Sequence, residues 1–296
     1  MDRLLAEKRG GTVVRYAAFG DVHGNFKALE AALAYIERQS VDGIITLGDY
    51  VTDGPYPERT MQLLHEMRGR YPCYMVRGNR EEYLLNNLDN HEGWKPSSAN
   101  GTLYYTLRHV PKEDMDFFAS LPSEREVRIE GCPILYICHG TPGRVRGNVH
   151  EEAGLKDRVL EQLEFPYLLG GHSHHQEVDR GHGKTYINPG SLGIAIDGVG
   201  RRAQFAVLTG SDKGWEAELL SIPYDVEGYL AAFAESGVDE IGLTLNKALK
   251  KSIVTGVNYF YHCIVAMEAE AKRQGVPSIA QMPEEDWRKL EQRFDL

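Results

Sequence analysis

What most restricts this chain is an alternation. From Thr12 to about Pro223, short apolar runs stop at glycines or polar clusters, and most are followed by a stretch with helical spacing. TVVRYAAFG reads as a buried strand, and the helix after it, over 25–39, sets Phe26, Leu29, Ala32, Leu33 and Ile36 on one face. Gly43–Gly48 is a second strand and Pro57–Gly69 a second helix, whose proline sits in the first turn where no N–H is needed. Cys73–Gly78 and Arg80–Leu88 repeat the pair, and residues 90–120 read as a helical insertion. VRIEG and PILYICHG then form a hairpin or neighbouring strands, a helix spans His150–Leu163, and an apolar run covers Tyr167–Gly171. TYINPG, QFAVLTG and WEAELLSIPY alternate in the manner of strands. This order implies an α/β chain with a two-sheet core and helices outside, parallel at first and antiparallel at the end. From Asp225 to Leu296 the pattern is helical throughout, with YLAAFAESG, LNKALKKSIV and YHCIVAMEAEAKRQ as candidate helices. The chain therefore divides into a domain over 1–224, carrying the insertion, and a C-terminal helical extension over 225–296. The extension either caps the core or makes a contact between copies.

Composition narrows the classes. With 42% hydrophobic and 26% charged residues, the chain has enough apolar material for a sizeable core. A net charge of −10 argues against nucleic acid or an anionic membrane as partner, since both call for clustered cations. A small anionic substrate remains compatible, because bound metal cations reverse the local field. The first residues, MDRLLAEKRGG, lack the apolar stretch of a secretory leader, and no apolar run reaches membrane-spanning length. Cys73, Cys132, Cys138 and Cys263 show no paired spacing, which fits reduced thiols and a cytoplasmic location.

The chemistry-bearing residues gather where apolar runs end. Five blocks do this: Asp21-Val-His23, Gly48-Asp49, Gly78-Asn79-Arg80-Glu81, His139-Gly140, and Gly171-His172-Ser-His174. Taken singly, each has a plain reading: Asp21 and Asn79 as helix caps, His139 as a core histidine, the last block as a surface metal binder. Together they offer carboxylate, imidazole and amide ligands at strand ends, where α/β proteins place their sites. Asp21 and His23, two residues apart, can face the same way, and His172 and His174 repeat that spacing. Asp49 could bridge two ions, with Asn79 and His139 completing the second. Two adjacent metals clamp the attacking and leaving oxygens of a phosphoryl displacement.

The ordered set D-x-H…GD…GN-x-[DE]…H-G…GH-x-H, over roughly residues 14–210, resembles the calcineurin-like metallophosphoesterase superfamily. The pieces FGDVHGN, GDYVTDGPYPE and YINPGSLG are most similar to its small bacterial and archaeal phosphodiesterase branch. The resemblance implies a four-layer α/β/β/α sandwich and two divalent ions, drawn from Mn, Fe, Zn, Co or Ni. It assigns Asp21, His23, Asp49 and His174 to one ion, and Asp49, Asn79, His139 and His172 to the other. A metal-bridging hydroxide would be the nucleophile. The protein-phosphatase branch carries GDxVDRG, and the arginine of that motif is missing here.

One departure matters for substrate. Many members have GNH[DE], with a histidine thought to protonate the leaving group; here that place holds Arg80. Arginine gives up no proton but pairs well with phosphate oxygens. An alkoxide leaving group would miss its general acid, whereas a phosphate leaves unaided. The expectation is a phosphodiesterase or phosphoanhydride hydrolase acting on a nucleotide-type substrate such as a dinucleoside polyphosphate. The competing readings are a phosphomonoesterase, including a protein phosphatase, a nuclease, and a catalytically silent metal-binding scaffold. Catalytic roles fall to Asp49, Asn79, Arg80 and His139, and substrate binding to Arg80, Arg144 and Arg146. His175 is a candidate replacement acid, and Asn188 and Ser191 either shape the pocket or form a turn. Trp94, Tyr104 and Tyr105 are expected in local core rather than stacked on a base, and Lys247, Lys250 and Lys251 on a solvated face.

Overall fold

The computed structural model describes residues 13–296; the reading of the first eleven residues as free of a leader, and Thr12 as a strand residue, lie outside them. The chain runs β1 (Val14–Phe19), α1 (Phe26–Ile36), β2 (Gly43–Thr46), α2 (Pro57–Arg70), β3 (Cys73–Met75) and α3 (Asn79–Asn86). The insertion supplies α4 (Gly101–His109) and α5 (Lys112–Ser120). Then come β4 (Glu124–Val127), β5 (Leu135–Cys138), α6 (Leu155–Gln162), β6 (Tyr167–Leu169), β7 (Gln176–Gly181), β8 (Lys184–Pro189), β9 (Arg202–Ser211) and β10 (Gly214–Pro223).

Two five-stranded sheets result, ordered β10-β9-β1-β2-β3 and β4-β5-β6-β8-β7. In the first, β1, β2 and β3 are parallel and β9 and β10 antiparallel. In the second, β5, β6 and β8 are parallel, and β4 and β7 are antiparallel edges. Ala18, Ile45 and Leu208 of the first sheet, with Leu47 just after β2, meet Leu135, Ile137, Leu169 and Ile187 of the second in one buried layer. On the far side of the first sheet, Phe19 and Ile44 pack against Leu29, Met61, Leu64 and Phe118 of the helices. On the far side of the second, Leu168 and Tyr186 pack against Leu160 of α6. The layering is α/β/β/α, as the resemblance implied.

Three local readings shift. The helix expected from His150 begins at Leu155, because Gly154 takes a left-handed φ of +79° and the Asn148 side chain closes a turn on the His150 N–H. The VRIEG strand ends at Val127, with a turn through Gly131 after it. Strand β7, QEVDRG, was not foreseen: its polar residues lie half-buried on a sheet edge and carry no apolar alternation.

After Pro223 come α7 (Val226–Ser236), α8 (Asp239–Thr255), α9 (Tyr259–Gln274) and α10 (Glu284–Phe294). Phe26 of α1 and Tyr105 of α4 share a cluster with Tyr229, Phe233, Leu249 and Ile253, so the extension packs directly on the core. A second cluster joins Leu245, Cys263, Met267, Trp287 and Leu290. Truncating the fully buried Trp287 to alanine would cost about 3–5 kcal/mol. The three lysines are not a plain solvated face: Lys247 pairs with Glu291 at 2.6 Å, Lys250 with Asp239 at 2.7 Å, and Lys251 donates to the Phe294 carbonyl at 2.8 Å. Among the described residues, no helix is long and apolar enough to cross a membrane.

Candidate metal centre

Parallel strands deliver their C-terminal ends to one edge, and the loops that follow converge there. Asp21 and His23 follow β1, Asp49 follows β2, Asn79 follows β3, His139 follows β5, and His172 and His174 follow β6. The loops are laced by backbone bonds: Asp21 N–H to Gly48 O (3.0 Å), His23 N–H to Asp49 O (2.9 Å), and Gly171 N–H to His139 O (2.7 Å). Five of these residues hold a left-handed backbone, with φ of +52° at Asp21, +49° at His23, +56° at Asp49, +61° at His172 and +57° at His174. That conformation costs a side-chain-bearing residue roughly 1–2 kcal/mol. It persists where surrounding bonds over-determine it, and it gathers at functional sites. Two glycines allow the approach. A Cβ on Gly48, whose φ is +91°, would lie 2.2 Å from Gly78 N, and one on Gly78 would lie 2.2 Å from Asp49 Oδ1.

The side chains form two groups, Asp21 with His23 and His174, and Asp49 with His139 and His172; within each, the donor atoms lie within 4.8 Å of one another. In the first, Asp21 Oδ1 stands 3.3 Å from His174 Nε2, and the Nε2 atoms of His23 and His174 are 3.2 Å apart. The other ring nitrogens are engaged, His23 Nδ1 with Asp53 Oδ2 (3.2 Å) and His174 Nδ1 with Ile194 O (3.0 Å). Both rings thus have Nδ1 engaged and turn Nε2 inward. In the second, His139 Nδ1 donates to Leu47 O (2.6 Å), while Nε2 faces Asn79 Oδ1 (3.0 Å) and Asp49 Oδ2 (3.5 Å). Asp49 Oδ2 is also 3.8 Å from His23 Nε2, so one carboxylate oxygen looks into both groups. Asp21 Oδ1 is buried without a hydrogen-bond donor. An orphaned carboxylate oxygen beside inward-facing imidazole nitrogens fits a divalent cation.

Charge follows the same geometry. Burial opposes protonation of His139, but Asp49 and then Asp21 outweigh it and push its pKa up to about 10. Burial, reinforced by His139, brings His172 down to about 4. Burial would raise Asp49, yet His139, His23 and Arg80 together hold it well below the usual carboxylate range.

The calcineurin-like phosphoesterase superfamily domain matches residues 14–213, a span that contains every one of these ligands. The chain belongs to that superfamily. An uncharacterized protein of Methanocaldococcus jannaschii is 25% identical over 226 residues, covering 71% of this chain and 88% of that protein. A metallophosphoesterase of Sphaerobacter thermophilus superposes with a TM-score of 0.65 at 25% identity, over 82% of this chain and 100% of that one. A hypothetical protein of Pyrococcus horikoshii reaches a TM-score of 0.70 at 19% identity, over 82% and 98%, and shows the fold alone.

Further groups brace the centre without lying among the two clusters. Glu81 is fully buried and accepts three backbone N–H groups, from Asp49 (2.8 Å), Gly78 (2.7 Å) and Tyr50 (2.8 Å), locking the two glycine turns together. Burial and then Asp49 push its pKa up to about 7. Asp53 touches His23, Arg80 (3.1 Å) and the Thr102 hydroxyl (2.9 Å) at once. Both stand inside quoted motifs, GN-x-[DE] and GDYVTDG, but nothing in a spacing says which way they turn. Asn188 and Ser191 support from beneath: the Asn188 amide donates to Gly171 O (3.1 Å) and Ser173 Oγ (2.9 Å), and the Ser191 hydroxyl to Asp21 O (2.9 Å).

The arginines separate. Arg80 is not a bare surface residue: its backbone N–H donates to Asp49 Oδ1 (2.8 Å), and its guanidinium pairs with buried Asp53. Arg80 and Arg146 both lie over the Tyr83 ring, 5.8 and 5.5 Å from its centroid. Arg144 turns away to an exposed pair with Glu151 (3.3 Å). His175 packs edge-on against His150 (4.8 Å) rather than among the ligands. Tyr105 is buried core stacked on His109; Tyr104 and Trp94 are half-buried.

Proposed function

We propose that the chain is a two-metal phosphodiesterase or phosphoanhydride hydrolase acting on a small nucleotide-type substrate, such as a dinucleoside polyphosphate. The observation that carries this reading is Asp49 Oδ2 set between His23 and His139, with Arg80 rooted on the same carboxylate. Asp21, His23, Asp49 and His174 would hold one cation, and Asp49, Asn79, His139 and His172 the other. When bound, such a pair acidifies water and neutralises phosphoryl charge.

The remaining work falls to this chain's own groups. The Nδ1 bonds of His23, His139 and His174 fix which nitrogen of each ring faces inward. Arg80 gives one edge of its guanidinium to Asp53, which leaves other N–H groups for a substrate oxygen. It holds charge without transferring a proton, which favours leaving groups that depart as stable anions. Arg146, across the Tyr83 ring, would take a further phosphate of a chain.

The test is a panel assayed with Mn²⁺: an aryl monoester, an aryl diester, cyclic dinucleotides and dinucleoside polyphosphates. Faster turnover of the diester and polyphosphates than of the monoester is expected. The reverse order would make the chain a phosphomonoesterase, and no turnover with metal bound would make it a scaffold.

A further inference from the structure

The matched domain stops at residue 213, yet the helices beyond it reach back to the centre. We infer that Phe260, in the extension, is a positioning residue for Arg80, so that the C-terminal helices form part of the phosphate-binding site. This deepens the function proposed above and rests on its reading of Arg80 as a phosphate ligand.

Arg80 is fixed at its root by Asp49 and along one edge by Asp53. Its guanidinium carbon also lies near two aromatic rings, 5.8 Å from the Tyr83 centroid and 5.6 Å from that of Phe260. Both distances are within the range at which a cation is drawn to a ring face. A planar guanidinium held this way loses freedom to turn while its N–H edge stays available to oxygen acceptors. Tyr83 comes one turn further along α3, so local helix geometry brings it near Arg80 in any case. Phe260 is there only because the extension docks where it does.

That docking is well anchored. The Phe260 N–H donates to Ser252 Oγ (3.1 Å), and the buried Ser252 hydroxyl donates to Ala248 O (2.8 Å), which ties the start of α9 to α8. The Phe260 ring packs against both clusters that the C-terminal helices build. A second route runs through Asp53, which accepts from Thr102 of α4. The loop ahead of α4 is gripped by α8 where that helix breaks at Leu243: Ser97 N–H donates to Ile241 O (3.0 Å), and Thr244 N–H to Ser98 Oγ (3.2 Å). A Cβ on Gly101 would lie 1.8 Å from Ile241 O, so the two helices meet with no room to spare. Two groups that orient the guanidinium, Phe260 and Asp53, therefore both depend on the extension.

The experiment compares Phe260→Ala, Phe260→Leu and Phe260→Tyr in the wild-type and Arg80→Met backgrounds. Kinetics on an aryl phosphodiester with Mn²⁺ are read beside calorimetric affinity for inorganic phosphate on Mn-loaded protein, with metal content as a control. Phe260→Ala and Phe260→Leu should raise KM and the phosphate Kd about three- to tenfold while kcat and metal content hold, and Phe260→Tyr should keep wild-type values. In the Arg80→Met background Phe260→Ala should add nothing. Equal losses in both backgrounds, Leu performing as well as Tyr, or an unchanged phosphate Kd would each overturn the inference. Should no ester be turned over, the proposed function fails, while the phosphate Kd still decides the role of Phe260.

Discussion

The metal centre and the arginine rim sit side by side and are built by opposite means. At the centre, Asp21, His23, Asp49, Asn79 and His139 are at most 5% exposed, five ligands hold left-handed backbone, and nearly every ring nitrogen not facing inward is bonded to a named acceptor. At the rim, Arg80 is partly exposed and held by ring faces and the Asp53 carboxylate, and Arg146 is exposed and lies over the Tyr83 ring. Strain and burial at the centre make its geometry all-or-none. The rim can vary side chain by side chain without touching the fold. On the function proposed above, reaction class would belong to the first region and substrate choice to the second, and the difference between them is measurable.

The largest effect is expected at the oxygen shared by both groups. Asp49→Ala should lower kcat on the order of 10³-fold or more and leave less than two equivalents of metal by elemental analysis. Full metal content with ordinary turnover would mean that Asp49 bridges nothing. Glu81→Gln puts an amide N–H against backbone donors that now meet a carboxylate. It should weaken metal affinity about 10–100-fold in chelator competition, because Glu81 holds the Asp49 backbone N–H and both turns around it. A loss confined to thermal stability would limit Glu81 to the fold.

Proton linkage sharpens the comparison further. With its pKa raised to about 10, His139 carries a proton at pH 8 in the metal-free protein, so a cation taking Nε2 must displace it. Metal affinity should therefore weaken about tenfold for each pH unit of acidification between about pH 9 and 7, with release of about one proton, measured by calorimetry in buffers of different ionisation enthalpy. Affinity independent of pH would place the cation elsewhere. The smallest effects belong to the rim. Arg146→Ala should raise KM for a dinucleoside polyphosphate about three- to tenfold, and Arg144→Ala should change it less than about twofold, since that side chain is spent on an exposed pair. Equal effects would dissolve the distinction between the two arginines.

Much of this was legible in the chain. The apolar runs ending in Asp21, Asp49, Asn79, His139 and His172 announced both the layered α/β fold and where the candidate ligands gather, because strand ends and ligand types are local properties. Strand β7 was hidden because an edge strand of half-buried polar residues has no alternation to read. The helix at residue 155 was placed too early because a left-handed glycine at its N-terminus, with an asparagine-closed turn upstream, rather than apolar spacing, set its start. Glu81 and Asp53 stood in plain view within quoted motifs, but a carboxylate in a loop can cap, pair or ligate, and only the backbone around it selects one.

What the sequence determined by itself was the kind of chemistry: seven ligand-type residues, each stationed where an apolar strand gives out, and an arginine where the resemblance leads one to expect a histidine. What the tertiary structure decided was direction and partnership. It turned Arg146 toward Tyr83 and Arg144 toward Glu151, though the two are separated by one residue, and it brought Phe260 from the last helices onto Arg80. Those choices rest on where whole helices dock against one another, a sum over many distant contacts that no local pattern encodes.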